Sequence, residues 1–500
     1  MPTSPPVTWC ETGLPVSPYT SAPSGAVIIP AGDDSNTPPA QSYTVQPYTT
    51  YWFAPGVHIL SGGEYAQFAA ATGDTFVGAP GAILDGQDVN DFAISGSGTS
   101  TNVTVEDLTI EYYTASGDEA VVGQDGTSGW TVEDSLIQDN PYGAGVEIPS
   151  NSTVTDNCLY NNGQYGYTDE GYPNGETNVT LTNNDVAHNN AAGYYDLPGS
   201  TVQCGCSGGG KFWDTINGTV TGNYIHNNLG IGVWVDTNNA GFNISGNYIA
   251  DNWGEAIAYE LSYNAQIENN TLIGNDWGDV QTNASPSFPS PTIYISNSGG
   301  DSRVASNYPG ELLISGNNLS QNWGGIVLYQ DANRICGFSA DGTCTLVNPS
   351  VYTLSSCKAN LNAASSPSQN PDYYDNCQWK TQNVTVTGNT VSLNPNTLPD
   401  VMSSGAADTC ASANANGNTL CGMMGLFSYY GSTAPFIGTV QDTAMQTQND
   451  IFSDNTYTGP VGFVGFNQGN VVSWSQWSNG FTYSGGGTFH AQDAGSTYAG

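Results

Sequence analysis

Acidic residues recur at a fixed distance from asparagine along this chain. Thirteen residues on from Asn157, Asn223 and Asn247 stand Glu170, Asp236 and Glu260, and the same step from Asp134, taken as the analogous position, reaches Glu147. From Asn184 the step ends one residue past Asp196, so that copy needs a slip of one. From Asn317 it ends on Gln330, beside Asp331, and Ser296 takes the corresponding place after an insertion. Carboxylates on neighbouring repeats could supply the acid, base or nucleophile of glycosidic-bond cleavage. Stacked like charges also repel and raise one another's pKa, which a purely structural column has no reason to keep. An acidic solvent face, or a Ca²⁺ site that neutralises the pair, are the competing readings.

The neighbours of these acids suit sugar recognition. Tyr165, Tyr167, Tyr194, Tyr195, Trp213, Trp234 and Tyr263 fall within or beside the column, and aromatic faces pack against apolar sugar surfaces. Of only five basic side chains, Lys211, Arg303 and Arg334 lie in segments that leave it. A cation there would help hold one carboxylate ionised while its neighbour keeps a proton. The expected catalytic set is therefore Asp236, Glu260, Asp196, Glu170 and Lys211. The expected substrate-binding set is Trp234, Tyr194, Tyr195, Trp213, Tyr263, Arg303, Arg334, Glu147 and Gln330. No metal ligand is expected: His188 and His226 fall on neighbouring repeats but one position out of line.

Such residues need a repeating scaffold, and the chain has one. From about residue 100 it repeats every 22 to 25 residues, as in TVTDNCLYNNGQYGYTDEG from 153, GTVTGNYIHNNLGIGVWVDTNN from 218, GFNISGNYIADNWGEAIAYELSYN from 241 and ELLISGNNLSQNWGGIVLYQDANR from 311. Each copy carries short alternating strands between Asn- and Gly-rich turns, the signature of a solenoid. Asn157, Asn184, Asn223, Asn247, Asn270, Asn317 and Asn389 share one column and predict a structural amide ladder. Alternation puts Val233, Val235, Ile257 and Tyr259 inside and Trp234, Asp236 and Glu260 outside.

The motif [TS]-G-N-x-[IL]-x-x-N followed by G-I-x-V resembles the right-handed parallel β-helix repeats of the pectate-lyase-like superfamily, over roughly residues 100 to 470. The resemblance implies an all-β, single-domain right-handed parallel β-helix and export from the cell, with no settled reaction. On that reading, residues 1–23 form an N-terminal cap, 24–470 the β-helix and 471–500 a C-terminal cap. Insertions at 199–217, 276–291 and 335–382 would wall one groove.

Composition narrows the function classes. Five Lys and Arg stand against 44 Asp and Glu, a net charge of -39, which repels nucleic acid and anionic membrane surfaces. The scarcity of cations also argues against a uronate lyase or epimerase, and the sequence has no NTD, GHG or RIK motif of the polygalacturonase type. Ten cysteines suggest disulfides, with local pairs Cys336 to Cys344, Cys357 to Cys377 and Cys410 to Cys421, and hence an oxidising compartment. No apolar run reaches membrane length. The chain is thus expected to be a secreted, acid-tolerant protein that hydrolyses a neutral polysaccharide or oligosaccharide without a cofactor. A lyase or epimerase, and a non-catalytic glycan-binding or surface protein, are the alternatives.

Overall fold

The computed structural model describes all residues except 34–44, 60–65, 97–99, 124–125, 172–174, 195–206, 279–290, 332–333, 335–354, 356, 358–376, 395–421, 430–446, 466–470 and 483–487. The regular secondary structure of the described residues is nearly all strand, with a four-residue helix, Trp9–Thr12, and a six-residue helix, Trp474–Asn479. They form two compact units. One holds Ser4–Val233 and Asn247–Asn252; the other holds Met1–Thr3, Trp234–Gly246 and Trp253–Gly500.

The same coil builds both units. A strand of the first sheet, such as Thr153–Thr155, turns into a three-residue strand of the second, Cys158–Tyr160, and then into a strand of the third, Tyr165–Glu170. Each pairs in parallel with its counterpart one coil on: Val154 with Leu181, Leu159 with Val186, Tyr167 with Gly210. In the other unit Ile267 pairs with Ile314, Leu272 with Leu319 and Ile295 with Leu328. The middle residue of each short strand faces inward. Val105, Ile137, Leu159, Val186, Val220, Ile225, Ile267 and Ile314 are buried to within 1%, each contributing about 1.5–3 kcal/mol.

Two corners bracket the second sheet, and both are legible in residue type. Each places a residue at positive φ before an inward asparagine. At the first corner these are Asp156, Asn183, Gly222, Asn269, Gly316 and Asp454; at the second, Asp139, Asn161, Asn227, Asp251 and Gly274. Gly, Asn and Asp adopt this left-handed conformation at least cost. The following asparagine then satisfies backbone groups that the corner leaves without partners. Asn184 donates from Nδ2 to the carbonyl of Val154, and its backbone N–H donates to Oδ1 of Asn223 at 2.9 Å.

The expected amide ladder is therefore present. Asn157, Asn184, Asn223 and Asn247 link successively in one unit, and Asn270, Asn317, Asn389 and Asn455 in the other. A second ladder, not anticipated from sequence, runs through Asn140, Asn162, Asn189, Asn228 and Asn252, and through Asn275 and Asn322. Its signal was in the motif, whose final Asn lies five residues after the first.

Two disulfides are described. Cys357–Cys377 is one of the expected local pairs. Cys10–Cys158, 148 residues apart, was not foreseen; it ties the helix Trp9–Thr12 to the second sheet, where the Cys10 N–H also donates to Asp185 at 2.8 Å. The other expected pairs, and Cys204 and Cys206, lie outside the described residues. Among the described residues no helix is long and apolar enough to cross a membrane.

Candidate functional site

In the unit that holds Trp234–Gly246, the third-sheet row follows the sequence alignment for three coils. The N–H of Thr237 bonds to the carbonyl of Glu260, that of Leu261 to Ser296, and that of Asn297 to Tyr329, each at 2.9 Å. The repeated bond puts Asp236, Glu260, Ser296 and Tyr329 in one row, about 4.8 Å from coil to coil. As alternation required, Val233, Val235, Ile257 and Tyr259 are inaccessible, while Trp234, Asp236 and Glu260 are half-buried.

Glu260 is gripped from the far side of the sequence. Arg334 Nη2 lies 3.0 Å from Glu260 Oε1, with 30% of the Arg334 side chain and 14% of the Glu260 side chain exposed. The Thr237 hydroxyl donates to Asp236 Oδ1 at 2.8 Å. Two residues earlier on the same face stand Trp234, Ala258, Tyr294 and Val327; Ala258 pairs with Tyr294 and Tyr294 with Val327. Burial first, and then the Glu260 charge, push the Tyr294 phenol well above its ordinary pKa. It therefore stays protonated as a donor beside the carboxylates. Tyr294 was absent from the expected set because a tyrosine in an outward strand position carries no periodic signal.

Several expected residues have other roles or places. Gln330 is buried, with Nε2 on the Trp379 carbonyl at 3.0 Å and Oε1 accepting from the Thr381 N–H at 2.8 Å. The turn before its strand is one residue shorter, five residues between Asn318–Ser320 and Ile326–Asp331 against six between Tyr248–Ala250 and Ile257–Glu260. Tyr329 thus takes the row position and Gln330 leaves the face. Tyr263 is also buried, stacked on Trp379 with ring centroids 5.3 Å apart, so neither face is open to a sugar. Arg303 is exposed and bonds Asp301 through Nε and Nη2 at 3.0 and 2.8 Å. Burial alone would raise the Asp301 carboxyl; the hydrogen bonds and charge of Arg303 overcome it and hold it below the usual range.

In the other unit the row departs from the alignment. Glu147 pairs with Thr168 and Thr168 with Lys211, whereas Glu170 pairs with Trp213. Glu147 and Glu170 are therefore two positions out of line. Ser135, not Asp134, holds the ladder place, accepting from Leu108 and donating its N–H to Asn157. The turn that follows is also one residue longer, five residues between Leu136–Gln138 and Ala144–Glu147 against four between Cys158–Tyr160 and Tyr165–Glu170. Glu147 is 4% exposed and accepts from the Glu170 N–H at 3.1 Å. Lys211 Nζ sits 5.2 Å from the centroid of the half-buried Trp213 ring. A Cβ at Gly210 beside it would meet the buried Tyr167 ring. Tyr165 and Tyr167 are core residues. Tyr194 is half-buried and takes its N–H to Asn190 at 2.7 Å. Asp196 and Tyr195 lie outside the described residues.

Among the described residues no three His, Cys, Asp or Glu side chains are grouped to hold a metal. His226 bonds Asp185 through Nε2 at 3.0 Å, and its ring lies 6.1 Å from that of His188.

Comparison with known proteins bears on this fold. The family model described as a right handed beta helix region matches residues 87–203 and 120–308. A search of curated proteins gives no match. Among solved structures, the A-module of the mannuronan C-5 epimerase AlgE6 of Azotobacter vinelandii is 14% identical, over 90% of this chain and 91% of that one, with a TM-score of 0.46. The AlgE4 A-module of the same organism is 13% identical over 95% and 91%, with a TM-score of 0.38. The DFA-IIIase of Arthrobacter chlorophenolicus A6 is 11% identical over 89% and 73%, with a TM-score of 0.26. Parallel coil-to-coil pairing in both units, with the sequence match over residues 87–308, makes this chain a right-handed parallel β-helix.

Proposed function

We propose that the protein is an extracellular glycoside hydrolase acting on a neutral polysaccharide, with Asp236 and Glu260 as its carboxylate pair. The observation that carries this reading is the register of the two acids: outward, half-buried and one coil apart, with Arg334 Nη2 3.0 Å from Glu260 Oε1. The spacing of about 4.8 Å between coils is near the roughly 5–5.5 Å that separates the carboxyl groups of retaining glycosidases.

A guanidinium on Glu260 favours its charged form and suits it to be the nucleophile; Asp236, which accepts from the Thr237 hydroxyl, delivers the proton to the leaving oxygen. In the second step Asp236 takes a proton from water as the glycosyl–Glu260 ester is hydrolysed. Trp234 and Tyr294, beside the acids on the same face, offer ring edges and a phenolic donor to the sugar. Disulfides agree with an oxidising, extracellular setting.

Sugar release from a panel of neutral and uronate polysaccharides tests the reading. New reducing ends without the ultraviolet absorbance of unsaturated products, from a neutral substrate and with retained anomeric configuration, are expected. Unsaturated products would make the protein a lyase, and binding without products a glycan-binding protein; either result overturns the proposal.

A further inference from the structure

Residues 13–18 run along the outside of the coils as a strap held at its two ends, within the unit that holds Ser4–Val233. At one end the helix Trp9–Thr12 is tied by Cys10–Cys158, by the Cys10 N–H on Asp185 and by Trp9 Nε1 on the Asn183 carbonyl at 3.0 Å. At the other, the Tyr19 carbonyl accepts from Trp52 Nε1 at 3.0 Å and Tyr19 packs on Trp52, Val77 and Ala79. Between the ends Pro15 and Pro18 have no N–H to add to a ladder, and Val16 is 81% exposed. The buried Ser17 holds the middle, its hydroxyl donating to the Gly78 carbonyl at 2.7 Å. Between strap and coils lies a cleft of about 240 Å³, walled on one side by Leu14–Ser17 and on the other by Asp107, Leu108, Asp134 and Leu136.

Four carboxylates meet at this cleft. Glu106 and Glu133 pair on neighbouring coils, about 4.8 Å apart, and Asp107 and Asp134 follow them at the corner. Asp156 on the next coil acts on Glu133 and Asp134, and Tyr19 Oη donates to Glu106 Oε1 at 3.0 Å. Among the described residues no base acts on the four acids. Ser17 is also within hydrogen-bond reach of Asp107, yet its one proton is already on Gly78. A protonated Asp107 can donate to the Ser17 oxygen, whereas an ionised one can only compete with Gly78 for that proton.

We propose that residues 13–18 are a pH-gated lid on this cleft, shut while the acids hold protons and lifted as they ionise, with Cys10–Cys158 keeping it tethered. Burial is the largest cause that raises each of the four carboxyls, Asp107 to about 6. Lifting the lid returns them to water, so the shut form binds more protons than the open one. Closure is therefore favoured in acid and lost as pH rises through about 6. The Tyr19 bond favours a charged Glu106, but burial outweighs it. The lid does not depend on hydrolysis at Asp236 and Glu260, and it uses none of their residues.

Hydroxyl-radical footprinting of the full, disulfide-intact chain at pH 5 and pH 7.5 tests the lid. Oxidation of Leu108 and Leu136, which line the cleft, should rise by about threefold or more at the higher pH relative to the exposed Val16. The core residue Leu159 should stay protected at both. Asp107→Asn keeps a donor for Ser17 and cannot ionise, so its cleft should stay shut at pH 7.5. Asp88→Asn, at an exposed position outside the cleft, removes the same charge and should open like the parent. Three results overturn the proposal: no rise at Leu108 and Leu136, an equal rise in Asp107→Asn, or a rise that Leu159 shares.

Discussion

Arg334 and Glu260, 74 residues apart in the chain, meet at 3.0 Å between Nη2 and Oε1. If Glu260 is the nucleophile and Asp236 the acid–base residue, Glu260→Gln and Asp236→Asn should each lower turnover by about a hundredfold or more, since both keep shape and remove charge. Arg334→Met should lower kcat by about tenfold or more through its partner. Because the pair is partly exposed, stability should fall by only about 1 kcal/mol. Parent-like rates in both carboxylate variants would place the chemistry elsewhere.

Stability should increase as pH falls from 7 towards 5. At the first corner Glu106 pairs with Glu133, and Asp107 and Asp134 follow them and line a cleft with Leu14–Ser17. Burial first, then neighbouring carboxylates, raises Asp107, Glu133 and Asp134, Asp107 to about 6; for Asp134 the neighbour is Asp156. Burial also raises Glu106, against the hydrogen bond from Tyr19. Carboxyls with raised folded pKa values bind more protons in the native state than in the unfolded one. Their cost is absent below the unfolded value and complete above the folded one. Urea unfolding at pH 7 and pH 5 checks this, and Asp107→Asn should raise stability at pH 7 and reduce the difference between the two.

Asn223→Ala should destabilise by about 2–4 kcal/mol, because it strips an acceptor from the Asn184 N–H and a donor from the Leu181 carbonyl in a dry interior. Asn243→Ala, at a half-buried strand position outside both ladders, serves as the control and should change stability by under about 0.5 kcal/mol. Chemical denaturation of the two variants decides whether the ladder or asparagine content in general supports the coils.

Peptide mapping without reduction should recover Cys10 joined to Cys158 and Cys357 joined to Cys377. Replacing Cys10 and Cys158 together by serine should lower stability by about 2–5 kcal/mol, as expected for a bridge that closes a long loop. Cys10 paired with any other cysteine would contradict the docking of the N-terminal helix on Asp185.

The repeat itself was readable from sequence because each corner favours a Gly, Asn or Asp at positive φ, followed by an inward asparagine. Those preferences recur in most coils and leave a period of residue types, although Ser135 follows Asp134 and His188 precedes Asn189. Alternation in three- and four-residue strands likewise fixes which side chains face the core, so the sequence by itself puts Val233, Val235, Ile257 and Tyr259 inward, and Asp236 and Glu260 outward.

Register between coils was decided by turn length, which counting from a ladder residue does not see. One residue fewer before Ile326 buried Gln330 and put Tyr329 in the row. One residue more before Ala144, with Ser135 in the ladder place, moved Glu147 out of line with Glu170 and beside Thr168. Contacts that join distant segments left no periodic trace at all: Arg334 on Glu260, Cys10 on Cys158, Trp379 over Tyr263. A period constrains what repeats, whereas these pairs occur once, and only the folded chain brings their members within bonding distance.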